Sequence, residues 1–356
     1  MRIACLAAAL AALLSVVLPP SLARAEGVPL EDAKRNLEVF GGQLKDRKLG
    51  NEDLNGSIEA LASDFYNIAS PAEKAPDALP DGADEEARKA HAAATKAYEE
   101  ALKKQRAAVR DWQHAALDLI FRALKLVVYD AKTKSNLRDD VNIKASLVLG
   151  DLLGNPKLAE GRDAKELEKL REGWSKQLRD LLAGELEEPK QDYQVPVAVL
   201  ENTFAALGKI NDPKTVAWLL ENYSHTNNAP AKVERLKAAH KAMVLFKGIK
   251  GDLRFQVVEK FATIYSAAEA TANNAAANSG DAKQKTAAAA SKKFWDDVKT
   301  DAIAVVNYYA TGPDGAAPAN AEGQALTTMK DLFVWFGDHS RKNRAPWLDE
   351  KADAAK

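Results

Sequence analysis

Apolar residues return at intervals of three and four along nearly every long segment of this sequence, and no stretch alternates convincingly between apolar and polar. Such a period lines one side of a helix and offers nothing to a half-buried strand. Leu30, Ala33, Leu37, Phe40 and Leu44 form one stripe, and Leu54, Ile58, Leu61, Phe65 and Ile68 form the next. The break "KLGNEDLNG" lies between them, so 26–70 reads as an antiparallel helical hairpin in which neither helix buries its stripe alone. The chain is therefore expected to be all-α and built from such hairpins.

Punctuation between the stripes sets the organisation. Residues 71–84 hold three prolines among Ala, Asp and Gly with no apolar period, the composition of a flexible linker. From Glu85 to Tyr129 there is neither Pro nor Gly, which predicts one long entry helix. Its alanine-rich, charged first half reads as solvent-washed, and its second half, "WQHAALDLIFRALKLVVYD", as buried on most sides. A helical repeat core over 85–266 continues through Val141 to Leu153, then Leu167, Leu170, Trp174, Leu178 and Leu181. Val197, Leu200, Phe204 and Leu207 precede a corner that Val216, Leu219, Leu220 and Tyr223 follow, and a further pair runs from Val233 to Phe246 and from Leu253 to Ile264. The alanine-rich segment 267–293 reads as a partly helical low-complexity insertion. In 294–356, Phe294, Val298, Ala302, Val305 and Tyr309 precede Leu326, Met329, Phe333 and Phe336, two last helices with a C-terminal cap.

One corner recurs. Asp212 before Pro213 is a helix start, because the carboxylate accepts from free backbone N–H groups and proline at the first helical position forfeits no needed donor. Gly208 allows the preceding helix to end or bend tightly. "LGDLLGNPK" from Leu149 and "LGKINDPK" from Leu207 share the order leucine, glycine, branched apolar, cap residue, proline, lysine. A fainter copy follows at Gly248 and Asp252, which stand beyond Gly208 and Asp212 by one and the same interval. In "AVLENTFAALGKINDPKTVAWLL", and over about 141–264, the chain resembles the HEAT and armadillo-like α-solenoids. The resemblance implies antiparallel hairpins stacked as a solenoid. That solenoid is irregular, since the step from Pro156 to Pro213 is longer than the one from Gly208 to Gly248 and departs from the family period.

Residues 1–25 have the three parts of a secretory signal: Arg2, an apolar run from Ile3 to Leu18, and small residues at Ala23 and Ala25 before Glu26. Cleavage there predicts an exported chain, periplasmic or extracellular, that begins at Glu26. Cys5 leaves with the signal, so disulfides, thiolate zinc sites and a cysteine nucleophile are excluded from the mature chain. Loss of Arg2 and Arg24 takes the basic side chains from 50 to 48 against 51 acidic ones. This near-neutral balance gives no reason to expect nucleic acid as a partner, and no later apolar run approaches the roughly 18 residues of a membrane span.

Chemical motifs are sparse. Asn51, Asp53, Asn55, Gly56 and Ile58 are spaced as in a calcium loop, but Ala62 stands where a bidentate glutamate is required, so an ordinary capped turn is expected. No two histidines have the spacing that brings imidazoles to one helical face; His240, between Leu236 and Met243, and His114 beside Trp112 read as hydrogen-bonded core residues. Asp139–Asp140 and Asp296–Asp297 are sequence neighbours, which point apart on a helix. There is no nucleophile elbow, phosphate-binding glycine loop or dinucleotide fingerprint, and no cofactor or metal is expected. The strongest surface candidate is "FVWFGDHSRKNRAPWLDEK", where Trp335, Arg341, Arg344 and Trp347 combine large area with hydrogen-bonding capacity. The expectation is a scaffold or adaptor that binds another protein. A carboxylate-based hydrolase or lyase is the competing class, and a carbohydrate-binding protein using Trp295, Trp335 and Trp347 is the third.

Overall fold

The structure is a computed structural model that describes residues 27–46, 48–68, 76–79, 84–184, 195–223, 233–249, 251–277, 282–310 and 318–342. Residues 1–25, read above as a secretory signal, and most of the expected linker lie outside these residues. Eleven α-helices account for most of what is described: α1 (Leu30–Gln43), α2 (Asn51–Asn67), α3 (Glu85–Leu124), α4 (Asp139–Leu153), α5 (Ala164–Ala183), α6 (Val197–Ile210), α7 (Pro213–Asn222), α8 (Val233–Met243), α9 (Gly251–Ala277), α10 (Ala282–Ala310) and α11 (Met329–Lys342). The fold is all-α. The chain divides into two compact units between Leu119 and Ile120, inside α3.

In the first unit α1 and α2 form the expected hairpin. Ala33 and Phe40 face Leu54, Ile58, Leu61 and Phe65 in a core that excludes water, with Trp112, Ala116 and Leu117 of α3 also buried. The Trp112 indole donates to the Ala33 carbonyl at 2.9 Å and lies tilted against Phe65. Asn51 to Ala62 is helix and not a turn: the break ends at Gly50, and Glu52 and Asp53 occupy the first turn of α2, where the helix dipole favours acids.

The entry helix departs from expectation at its end. It stops at Leu124, not Tyr129, and Tyr129–Asp130 pairs with Ser135–Asn136 as a two-residue antiparallel ribbon. Two asparagines take over the helix-end carbonyls: the Asn142 amide donates to Ala123 O at 2.9 Å and Leu126 O at 3.1 Å. The Asn136 amide in turn donates to the Asn142 side-chain oxygen at 2.7 Å, while its own oxygen accepts from Val128 N and Arg138 N. Nor is the second half of α3 buried on most sides. Trp112, Gln113, Ala116, Leu117, Ile120, Ala123 and Leu124 mark a single buried face, and His114 is exposed.

In the second unit α4 packs on α6, α6 on α8 and α8 on α10. α5 packs on α6, α7 meets α9, α9 lies along α10, and α11 rests on both α9 and α10. Trp174, Leu178, Phe204, Leu207, Phe246 and Phe261 are among the fully enclosed side chains. The alanine-rich segment lengthens α9 and α10 on either side of 278–281, and Ala268 and Ala272 are buried within it.

The recurring corner is built as its residues require, with one exchange of roles. Asp212 caps α7 by accepting from Lys214 N at 3.1 Å, and Pro213 is the first helical residue. Gly208, however, does not end α6. The helix runs to Ile210, and Asn211 takes the left-handed turn at φ 61°. Gly208 serves the crossing with α8, since a Cβ there would stand 2.6 Å from Leu245 Cβ and 3.0 Å from Ala242 O. In the earlier copy Asn155 caps in the same way, but Pro156 opens only the short 3-10 turn Pro156–Ala159. α5 then starts afresh with the Asp163–Glu166 capping box, and this added turn accounts for the longer step to Pro213.

Candidate functional site

The four residues singled out near the C-terminus are not brought together. Trp335 is half-buried on α11, Arg341 lies on the same helix, and Arg344 and Trp347 fall outside the described residues. α11 turns Met329, Leu332 and Phe336 into the core, and Phe336 meets Phe255 of α9 with ring centres 5.2 Å apart. Leu332 takes the packing position expected of Phe333, which is 45% exposed beside Val334. Trp295 is buried against Phe294 and so offers no platform for a sugar ring.

His240 is the core residue its position suggested. It is 1% exposed, its Nε2 donates to the Tyr223 carbonyl at 3.0 Å, and its ring stands edge-on to Phe261 at 4.8 Å. Donation through Nε2 fixes the neutral tautomer with a bare Nδ1, which is buried and has no partner. Desolvation pushes its pKa down to about 4, against a weaker opposing pull from the hydrogen bond to Tyr223. It is therefore neutral at physiological pH.

Charged side chains tie neighbouring helices of the second unit together. Lys209 of α6 meets Asp151 of α4 at 2.6 Å, and Lys214 of α7 meets Glu172 of α5. Lys241 of α8 meets Glu201 of α6 at 2.9 Å, and Lys237 of α8 meets Asp297 of α10 at 2.8 Å. Solvent screening keeps each of these exposed or part-exposed pairs weak, so they mark register more than they supply stability. Asp296 faces its own helix instead, towards Lys292 and Lys299, so the adjacent carboxylates Asp296 and Asp297 serve different partners.

At the step from α7 to α9, which none of these four ion pairs crosses, a groove of about 600 Å³ opens. Ala217, Leu220 and Glu221 of α7 form one wall; Gln256, Glu259, Lys260 and Thr263 of α9 form the other. Leu220 is buried, while Glu221, Gln256, Glu259 and Thr263 are exposed. Glu221, Glu259 and Lys260 make no ion pair among the described residues. The groove thus has a small apolar floor under three charges and an amide and is open to solvent. No sequence signal singled it out, because its walls are remote from each other along the chain and each wall alone reads as the solvated side of a helix.

Among the described residues, no group of three or more His, Cys, Asp or Glu side chains is placed to hold a metal ion. No described helix is long and apolar enough to cross a membrane. No family model matches this chain, and neither the curated proteins nor the solved structures supply a match.

Proposed function

We propose that this chain is a protein-binding scaffold, a HEAT-like array of helical hairpins that engages its partner through the groove between α7 and α9. The observation that carries the reading is the open groove at that step, lined by charges that take part in none of the four inter-helix ion pairs. Four helix–helix steps of the same unit spend a lysine and a carboxylate on each other, whereas Glu221, Glu259 and Lys260 remain available to a partner. The side-by-side packing of α4, α6, α8 and α10 supports the repeat architecture that the recurring Asn/Asp-Pro corner suggested. Export of the chain, with the partner in the periplasm or outside the cell, belongs to the same proposal.

The carboxylate reading of an enzyme is less well supported by this geometry. Asp301, lifted to about 6, and Asp139, also raised by burial, are both absent from the lining of the groove, so among the described residues this pocket and the raised carboxylates do not coincide.

The test is site-directed photocrosslinking from Thr263 in the groove and, in parallel, from Phe333 on the outer side of α11. A specific adduct from Thr263 that disappears in the Glu221→Gln, Glu259→Gln, Lys260→Gln triple variant supports the proposed surface. An adduct from Phe333 alone moves the contact to the C-terminal helix and refutes the groove.

A further inference from the structure

The charges along α6, α8 and α10 contain one conflict. Lys237 and Lys241 stand one turn apart on α8, and Asp297 and Asp301 one turn apart on α10. Lys237 is bound to Asp297, so the matching step brings Lys241 and Asp301 into each other's field. Yet Lys241 is bound to Glu201 of α6, at 2.9 Å. Asp301 is left with a buried Oδ2 that has no hydrogen-bond partner. A carboxylate oxygen stranded near two ammonium groups that are both engaged elsewhere is a costly arrangement when ionised and a less costly one when protonated.

We propose that Lys241 is a shared ammonium: it staples α8 to α6 through Glu201 while the Asp301 carboxyl is protonated, and turns to α10 when that carboxyl ionises. The proton leaves to solvent, Lys241 keeps its charge throughout, and the exchange swaps one inter-helix ion pair for another. Burial raises Asp301 to about 6, with Asp297 adding to the rise and Lys237 and Lys241 opposing it, which puts the exchange in a range that solution pH reaches easily. Other charged groups on and around α10 are Asp296, which holds Lys292 and Lys299; Lys299, which faces Tyr265 and Glu269 of α9; Arg254 of α9, whose Nε donates to the Tyr309 carbonyl; Arg235, buried on α8; and the exposed Lys330, Asp331 and Asp338 of α11. The device lies on a different set of helices from the groove and does not depend on it.

The test is side-chain carboxyl NMR of the full chain labelled with 13C in aspartate and glutamate, titrated from pH 4.5 to 8. Asp301 is expected to show a midpoint near 6, and the Glu201 carboxyl an inflection at that same midpoint besides its own. Asp301→Asn should abolish the Glu201 inflection, and Glu201→Gln, which releases Lys241, should lower the Asp301 midpoint by half a unit or more. Circular dichroism verifies that each variant is folded. An Asp301 midpoint near that of an ordinary aspartate, a Glu201 signal blind to pH near 6, or an Asp301 midpoint unmoved by Glu201→Gln would each overturn the proposal.

Discussion

Replacing Gly208 with alanine tests whether the crossing of α6 and α8 is as close as it stands. Inside a helix, glycine to alanine ordinarily stabilises by about 0.5–1 kcal/mol, because it restricts the unfolded chain and improves helix propensity. At Gly173 in α5 nothing lies within 4 Å of the added Cβ, so the full gain is expected there. At Gly208 the same carbon would stand 2.6 Å from Leu245 Cβ, an atom fixed to its backbone, and 3.0 Å from Ala242 O. Carbon atoms in contact sit about 3.5–4.0 Å apart, so α8 must retreat by roughly 1 Å or the pair must strain. Overpacking of this kind costs about 1–3 kcal/mol, which outweighs the propensity gain and leaves a net loss of about 1–2 kcal/mol. Gly150, whose Cβ would meet Ala206 Cβ at 3.1 Å, should fall between the two. Urea unfolding followed by circular dichroism reads the order directly: Gly173→Ala above wild type, Gly150→Ala near it, Gly208→Ala below it. If Gly208→Ala raises the midpoint as Gly173→Ala does, the helices are not in contact at this crossing and the account of the repeat corner fails.

Other consequences can be read with the same assay. His240 falls from 6.5 to about 4 on folding, so the unfolded chain takes its proton first and stability drops as pH falls from about 6.5 to 4, by up to about 3 kcal/mol. Asp301 rises from 3.8 to about 6, so its stabilisation is complete below about 3.8 and is lost as pH climbs through 6; its size is smaller than the roughly 3 kcal/mol the shift implies, because this carboxyl is partly open to solvent. The two slopes oppose each other: Asp301→Asn should show steeper acid destabilisation than wild type, and His240→Gln should grow more stable on acidification between pH 7 and 4. Parallel slopes in the two variants would refute both assignments. Asp212→Ala, which removes the α7 cap, should cost about 1 kcal/mol, and no loss in the urea midpoint would show that Lys214 N finds another acceptor. Trp174→Ala, which empties an enclosed site edge-on to Phe121, should cost about 3–5 kcal/mol, and a cost under about 1 kcal/mol would contradict its burial.

The helices were legible because burying one side is what makes a helix of this length stable, and the stripe records which side. The Asp212–Pro213 start was legible for a similar reason: both residues act on the backbone beside them. What escaped acts across distance. Asn211 could have been suspected as the left-handed residue, since it precedes a cap that already starts the next helix, but Gly208 offered the same service and only the neighbour Leu245 shows which one is needed elsewhere. The end of α3 depends on Asn136 and Asn142, which lie beyond it and read locally as ordinary loop and helix-start residues. Phe333 and Leu332 both fit an apolar period, and the rotation of α11 that favours Leu332 is set by α9 and α10. The one-turn spacings of Lys237 and Lys241 and of Asp297 and Asp301 were in plain view, yet their opposition follows only from α8 lying on α10.

The groove has a physical cause in the lengths of its walls. α7 has 10 residues and spans about 15 Å, whereas α9 has 27 and spans about 40 Å, so α7 covers only part of the side that α9 turns towards it. α9 does not need that cover, because it lies along α10, a helix of 29 residues, over much of its length. Leu220 still serves the core, but the charged residues of the groove, Glu221, Glu259 and Lys260, are thereby released from holding α7 to α9. The combined change Glu221→Gln, Glu259→Gln, Lys260→Gln should therefore leave the urea midpoint within about 0.5 kcal/mol of wild type, as for surface positions without partners, while removing the Thr263 crosslink. A large loss of stability would mean that these charges hold α7 to α9 after all, and the surface would then be a seam of the fold and not a place for another protein.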